Sequence, residues 1–152
     1  MHTPGATVRR SWAPDLDLDT FYALLALRTA VFVVEQECPY QELDGRDLER
    51  RTRHYWLARD TGESVEIVAT LRLLVEPGGG YRIGRVCTRG DSRGHGYGHQ
   101  LMDAALAEVG SSVCVLDAQE QQEAFYRRHG FVTTGERFLE DGIGHLPMTR
   151  NG

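Results

Sequence analysis

Arg93-Gly94-His95-Gly96-Tyr97-Gly98 decides the reading of this chain, because it joins a strand-like segment to a helix-like one. Before it, Tyr81–Thr88 is rich in β-formers and follows the turn Pro77-Gly78-Gly79-Gly80. After it, His99–Val109 places Leu101, Met102, Ala105, Leu106 and Val109 on one helical face. Glycines at alternate positions let the backbone turn tightly and approach a ligand without Cβ atoms in the way. The free N–H groups and positive dipole end of the following helix suit a phosphate, and Arg93 adds a positive fork. A diphosphate matches that chemistry; an ordinary flexible turn also accounts for a lone glycine cluster. Two other glycine loops are excluded. A triphosphate-binding loop ends in Gly-Lys-Ser/Thr, whereas Gly98 is followed by His99 and Gln100. A dinucleotide fingerprint needs G-x-G-x-x-G near the first strand of a parallel βαβ unit, and this loop comes late and is evenly spaced.

Outward from the loop, Val113–Ala118 reads as a short buried strand, and the segment carrying Phe125 and Tyr126 as a helix ending at Gly130, with Arg127, Arg128 and His129 in its last turn complementing its dipole. Toward the N-terminus, Thr7–Trp12 is an expected strand. Asp17 can cap a helix over Leu18–Val34 whose stripe is Phe21, Leu24, Leu25, Val31 and Phe32. Glu35–Arg53 is a long polar connection, with a short helix expected at Asp47–Arg51. Strands at His54–Ala58 and Val65–Val75 flank Asp60-Thr61-Gly62-Glu63, and Phe131–Leu139 and His145–Thr149 meet through Glu140-Asp141-Gly142. The class is α/β with a mixed sheet: an antiparallel meander followed by one parallel βαβ step, helices on both faces.

The 152 residues, 41% hydrophobic and 26% charged, suit one domain over residues 1–152 with a real core. A net charge of −5 gives no electrostatic reason to expect nucleic acid or an anionic membrane, and Arg50-Arg51-Thr52-Arg53 reads as a solvated loop. Phe21–Val34 is interrupted by Arg28 and Thr29 and is too short to span a bilayer; with no secretory core at the N-terminus, a cytoplasmic location is expected. Cys38, Cys87 and Cys114 are scattered, as are the histidines, so neither disulfide nor metal is expected. Cys38 beside Pro39 and Tyr40 reads as structural, since no histidine neighbour lowers its pKa.

The order strand, Arg-Gly-x-Gly-x-Gly, helix, strand, Phe125-Tyr126 helix, Gly130-Phe131 resembles the GNAT superfamily of N-acetyltransferases from about Leu24 to Met148. Val31-Phe32-Val33-Val34-Glu35-Gln36-Glu37-Cys38-Pro39-Tyr40, Asp44-Gly45-Arg46-Asp47, Ile83-Gly84-Arg85-Val86 and Asp141-Gly142-Ile143-Gly144-His145 are similar to its ElaA-like members. The resemblance implies transfer of acetyl from acetyl-CoA to a primary amine by direct attack in a ternary complex. It implies that backbone at Val86, Cys87 and Thr88 pairs with the pantetheine arm. The pyrophosphate would lie against Arg93, Gly94, His95, Gly96, Tyr97, Gly98 and His99, and Tyr126 would protonate the leaving thiolate. Gln119 and Gln122 stand where the superfamily often has Asn and Ala, and Gln119 can still hydrogen-bond the cofactor. Glu35, His54 and His145 are candidates for the general base, with bulk water as the alternative. Glu35, Glu37, Glu42, Asp44 and Asp47 are expected either to form an acidic groove for a cationic amine or to be a solvated loop. The acceptor would be a small-molecule or protein amine, and a homodimer is compatible with the likeness. The rival reading is a non-catalytic acyl-CoA-binding sensor or interaction module.

Overall fold

A computed structural model of the chain describes residues 5–152, so residues 1–4 of the expected domain lie outside the described residues. Strands β1 (Ala6–Trp12), β2 (Arg53–Asp60), β3 (Val65–Val75) and β4 (Tyr81–Thr88) form an antiparallel meander in chain order. Helix α1 (Leu18–Arg28) lies between β1 and β2 in the chain, and α2 (Tyr97–Val109) carries it from β4 to a parallel β5 (Cys114–Gln119). After α3 (Glu123–Arg127), strands β6 (Val132–Thr133) and β7 (Phe138–Glu140) both pair with β8 (Ile143–Arg150), which lies antiparallel to β5. The expected mixed sheet and its βαβ step are therefore present.

Period-two alternation divides the core between the sheet's faces. Tyr55 and Leu57 of β2 join Leu101, Met102, Ala105 and Val109 of α2, whereas Trp56 and Ala58 pack with Leu24 of α1. Asp17 caps α1 as its sequence position predicts, accepting from the Thr20 N–H at 2.7 Å. The helix expected to run unbroken to Val34 changes pitch instead: Thr29–Glu35 is π-helical. Gln36 N–H donates to the Val31 carbonyl and Cys38 N–H to that of Val33, five residues back in each case.

Arg28, which interrupts the apolar run in the sequence, is 1% exposed. Two expectations are corrected. Arg53 is likewise buried, its guanidinium on Glu108 at 3.0 Å and over the Trp12 ring at 4.3 Å, leaving only Arg50 and Arg51 of that basic cluster exposed. The strand expected over Phe131–Leu139 breaks after Thr133. Thr134 N–H still donates to the Pro147 carbonyl at 2.9 Å, but Pro147 has no N–H to return, so the ladder ends there. The β7–β8 turn follows its sequence, with φ of 51° at Asp141 and 79° at Gly142, the paired left-handed geometry of a tight hairpin.

Candidate active site

β4 and β5 pair only through Tyr81 with Cys114 and Arg82 with Val115, then separate. Just past the point of divergence β4 bulges against β3: Gly84 opposes Arg72 and Cys87 opposes Thr70, so Arg85 and Val86 share the single partner Leu71. Arg85 takes a φ of 54° there. Beyond Arg82 the β5-facing edge of β4 thus lacks a strand partner, and a cavity of about 930 Å³ opens along it. Val86, Cys87, Thr88 and Gln119 line it, with the glycine loop at one end and α3, the segment after α1 and the β7–β8 hairpin around the rest.

At the loop, Gly94 and Gly96 have φ of 86° and 76°, which is why they are glycines; a Cβ on either would meet nothing within 4 Å. Gly98 answers a different need, because a Cβ there would lie 3.2 Å from Phe125 Cζ. α2 begins after Gly96 with no side-chain cap, and its first helical bond is Gln100 N–H to Gly96 carbonyl at 3.1 Å. The N–H groups of Tyr97, Gly98 and His99 are the orphan donors of that end, and these residues line the cavity. His95 stacks on Tyr97 outside it. Arg93 is turned to other work than a free fork: Nε donates to the Thr88 carbonyl at 3.1 Å, and NH1 pairs with Glu35 at 2.8 Å. His99 Nδ1 meets His129 Nε2 at 2.8 Å, which sets the back of the loop against the end of α3.

Tyr126 is 9% exposed and faces this cavity beside Cys87. Burial, with a contribution from the Cys87 thiol, pushes its phenol well above the usual tyrosine value, so it stays protonated at neutral pH. The Cys87 thiol is itself pushed up to about 12 by burial and is inert as a nucleophile. Cys38 is buried, its thiol donating to the Asp141 carbonyl at 3.5 Å. Gln119 and Gln36 exchange amide hydrogen bonds at 3.2 and 3.3 Å, tying β5 to the segment after α1. Among the described residues no group of three His, Cys, Asp or Glu is placed to hold a metal ion.

The three base candidates separate. His54 is 1% exposed, Nε2 is 3.1 Å from the Asp47 carbonyl, and it does not line the cavity; burial holds its pKa down. It is removed from the reacting region because its position on β2 points it under α1. Glu35 reaches the cavity but is committed to Arg93. His145 lies opposite Gln119 in the ladder and lines the cavity. Its Nδ1 donates to the Ile143 carbonyl at 2.8 Å, which leaves the lone pair of the neutral ring on Nε2, 4.0 Å from Glu140.

The acidic groove is also corrected. Glu42 and Asp47 are buried, each 2.6 Å from Arg28, and Asp44 is 2.6 Å from Arg72. With Glu35 on Arg93, each carboxylate of the expected wall except the exposed Glu37 is neutralised by a guanidinium, and Glu37 does not line the cavity. Sequence reading missed Arg28, Arg72 and Arg85 as a set; the one signal available was a charged residue inside the apolar stripe of α1.

A family model described as an acetyltransferase (GNAT) domain matches residues 21–151. A UPF0039 protein of Mycobacterium tuberculosis is 55% identical over 148 residues, covering 95% of this chain and 93% of its own length. The crystal structure of an acyl-CoA N-acyltransferase from Pseudomonas aeruginosa superposes with a TM-score of 0.86 at 44% identity, covering 96% of this chain and 99% of that one. The crystal structure of Escherichia coli ElaA has the same TM-score, 0.86, at 35% identity, with 97% and 100% covered. No helix of the described residues is long and apolar enough to cross a membrane.

Proposed function

Because the chain belongs to the GNAT acetyltransferase family, we propose that its single domain transfers acetyl from acetyl-CoA to a primary amine by direct attack in a ternary complex. The observation that carries this reading is one cavity holding an unpaired strand edge, uncapped helix N–H groups and a buried, protonated phenol. When bound, the acyl donor supplies a thioester whose carbonyl carbon forms the new C–N bond as its C–S bond breaks. The orphan N–H groups of Tyr97, Gly98 and His99 suit a pyrophosphate, and the free edge of β4 at Val86–Thr88 suits an amide-bearing arm. A backbone N–H on that edge polarises the carbonyl, and orientation within the cavity replaces a bimolecular encounter. His145 takes the proton from the attacking nitrogen at Nε2, and Tyr126 gives its proton to the departing sulfur.

Calorimetry with acetyl-CoA, followed by release of free CoA across a panel of primary amines, tests the reading. Donor binding with amine-dependent turnover is expected. Tight binding without turnover for any amine supports a non-catalytic acyl-CoA module instead.

A further inference from the structure

Arg28 of α1, Glu42, Asp44 and Asp47 of the polar connection, Arg72 of β3 and Arg85 of β4 form a charge-balanced cluster that none of the proposed chemistry uses. It gathers the strings Asp44-Gly45-Arg46-Asp47 and Ile83-Gly84-Arg85-Val86 around one strained residue. Arg85 is the bulge residue at φ 54°, a conformation that a side chain with a Cβ adopts only when its surroundings hold it. Its Nε donates to the Glu42 carboxylate at 3.0 Å and its NH2 to the Glu42 carbonyl at 3.0 Å, while the guanidinium lies 5.6 Å over the Tyr40 ring. Glu42 is fixed in turn: Arg28 Nε donates to it at 2.7 Å, the Tyr40 hydroxyl donates to its other oxygen, and it is 5% exposed. Val86, the second residue of the bulge, and Cys87 and Thr88 just beyond it form the edge that lines the cavity.

Resting on the acyl-transfer reading, we propose that Glu42, held by Arg28 and Tyr40, is a positioning residue that locks Arg85 in its left-handed bulge and so sets how the Val86–Thr88 edge faces the acyl donor. Arg85→Gly and Arg85→Ala test the lock. Both should fold, because Glu42 keeps Arg28 and Asp44 keeps Arg72 after the change. Glycine adopts the bulge unaided and alanine does not. The alanine variant is therefore expected to move the amide resonances of Val86, Cys87 and Thr88 well beyond the shifts seen with glycine. Its kcat is expected to be at least about fivefold below that of the glycine variant, with acceptor KM alike. In a second arm, Glu42→Gln lowers kcat about tenfold alone and less than about twofold in the Arg85→Gly background, a coupling that a merely stabilising ion pair would not give. Alanine and glycine variants with the same amide shifts overturn the lock. That comparison needs no turnover, so its failure is distinct from failure of the acyl-transfer reading, which the wild-type protein's donor binding decides.

Discussion

In the proposed mechanism Tyr126 is suited to donate a proton by its surroundings, since burial disfavours the phenolate. Tyr126→Phe keeps the ring packed on Phe131 and removes only the proton, so saturated turnover should fall about 10- to 1000-fold with acetyl-CoA affinity little changed. A wild-type rate under conditions where chemistry limits turnover would remove it from the mechanism. His145→Gln keeps a polar group in the ladder position yet cannot take up the amine proton; a similar loss of kcat is expected, with donor affinity unaltered in calorimetry. The two glycines of the loop should fail differently. Gly96→Ala puts a Cβ on a left-handed residue and costs about 1–2 kcal/mol of stability in denaturant titration. Gly98→Ala instead presses on Phe125, next to Tyr126, and its effect should be read in turnover.

α1 performs two tasks that its sequence displays unequally. Its Asp17 cap is local, and Asp17→Ala should cost about 1 kcal/mol. Its last residue, Arg28, staples the helix to the connection through Glu42 and Asp47. Arg28→Met leaves two buried carboxylates short of a partner, and a loss of about 3–5 kcal/mol is expected in urea unfolding. A near-neutral Arg28→Met would mean that Arg72 and Arg85 satisfy those carboxylates unaided. The π-helical turn that follows displaces Glu35 and Gln36 from the register of a regular helix, and both then reach the cavity.

Across the molecule, guanidiniums hold carboxylates below their usual range. The Arg72 hydrogen bond does this for Asp44 and that of Arg10 for Glu108, at about 2; in Asp47 burial pushes upward and Arg28 outweighs it. Such groups stabilise fully above their unfolded values, about 4, and lose that contribution as pH falls through the folded ones. His54 and His129 are held down by burial, so their contribution is complete above about 6.5 and declines below it. The urea midpoint should therefore fall gently from pH 7 to 5 and steeply from about 4 toward 2; a midpoint that rises on acidification would contradict these pairings. What the sequence determined by itself was whatever repeats at short range. The α2 stripe, the alternating strands, the Asp17 cap, the Gly130 stop, the Asp141-Gly142 turn and the glycine loop are set by neighbours a few residues apart, and together they sufficed for the antiparallel meander and the parallel βαβ step, though not for the place of β8 between β5 and β6. The tertiary structure alone decided which charges meet, because Arg28 and Asp47, or Arg85 and Glu42, are far apart in the chain and carry no periodic signal. That is why the connection read as an acidic groove or a solvated loop but folds into a neutralised cluster. It is also why His54 and His145, both candidates on the family resemblance, end on opposite sides of the question: one is sealed under α1, and the other stands on β8 at the wall of the cavity.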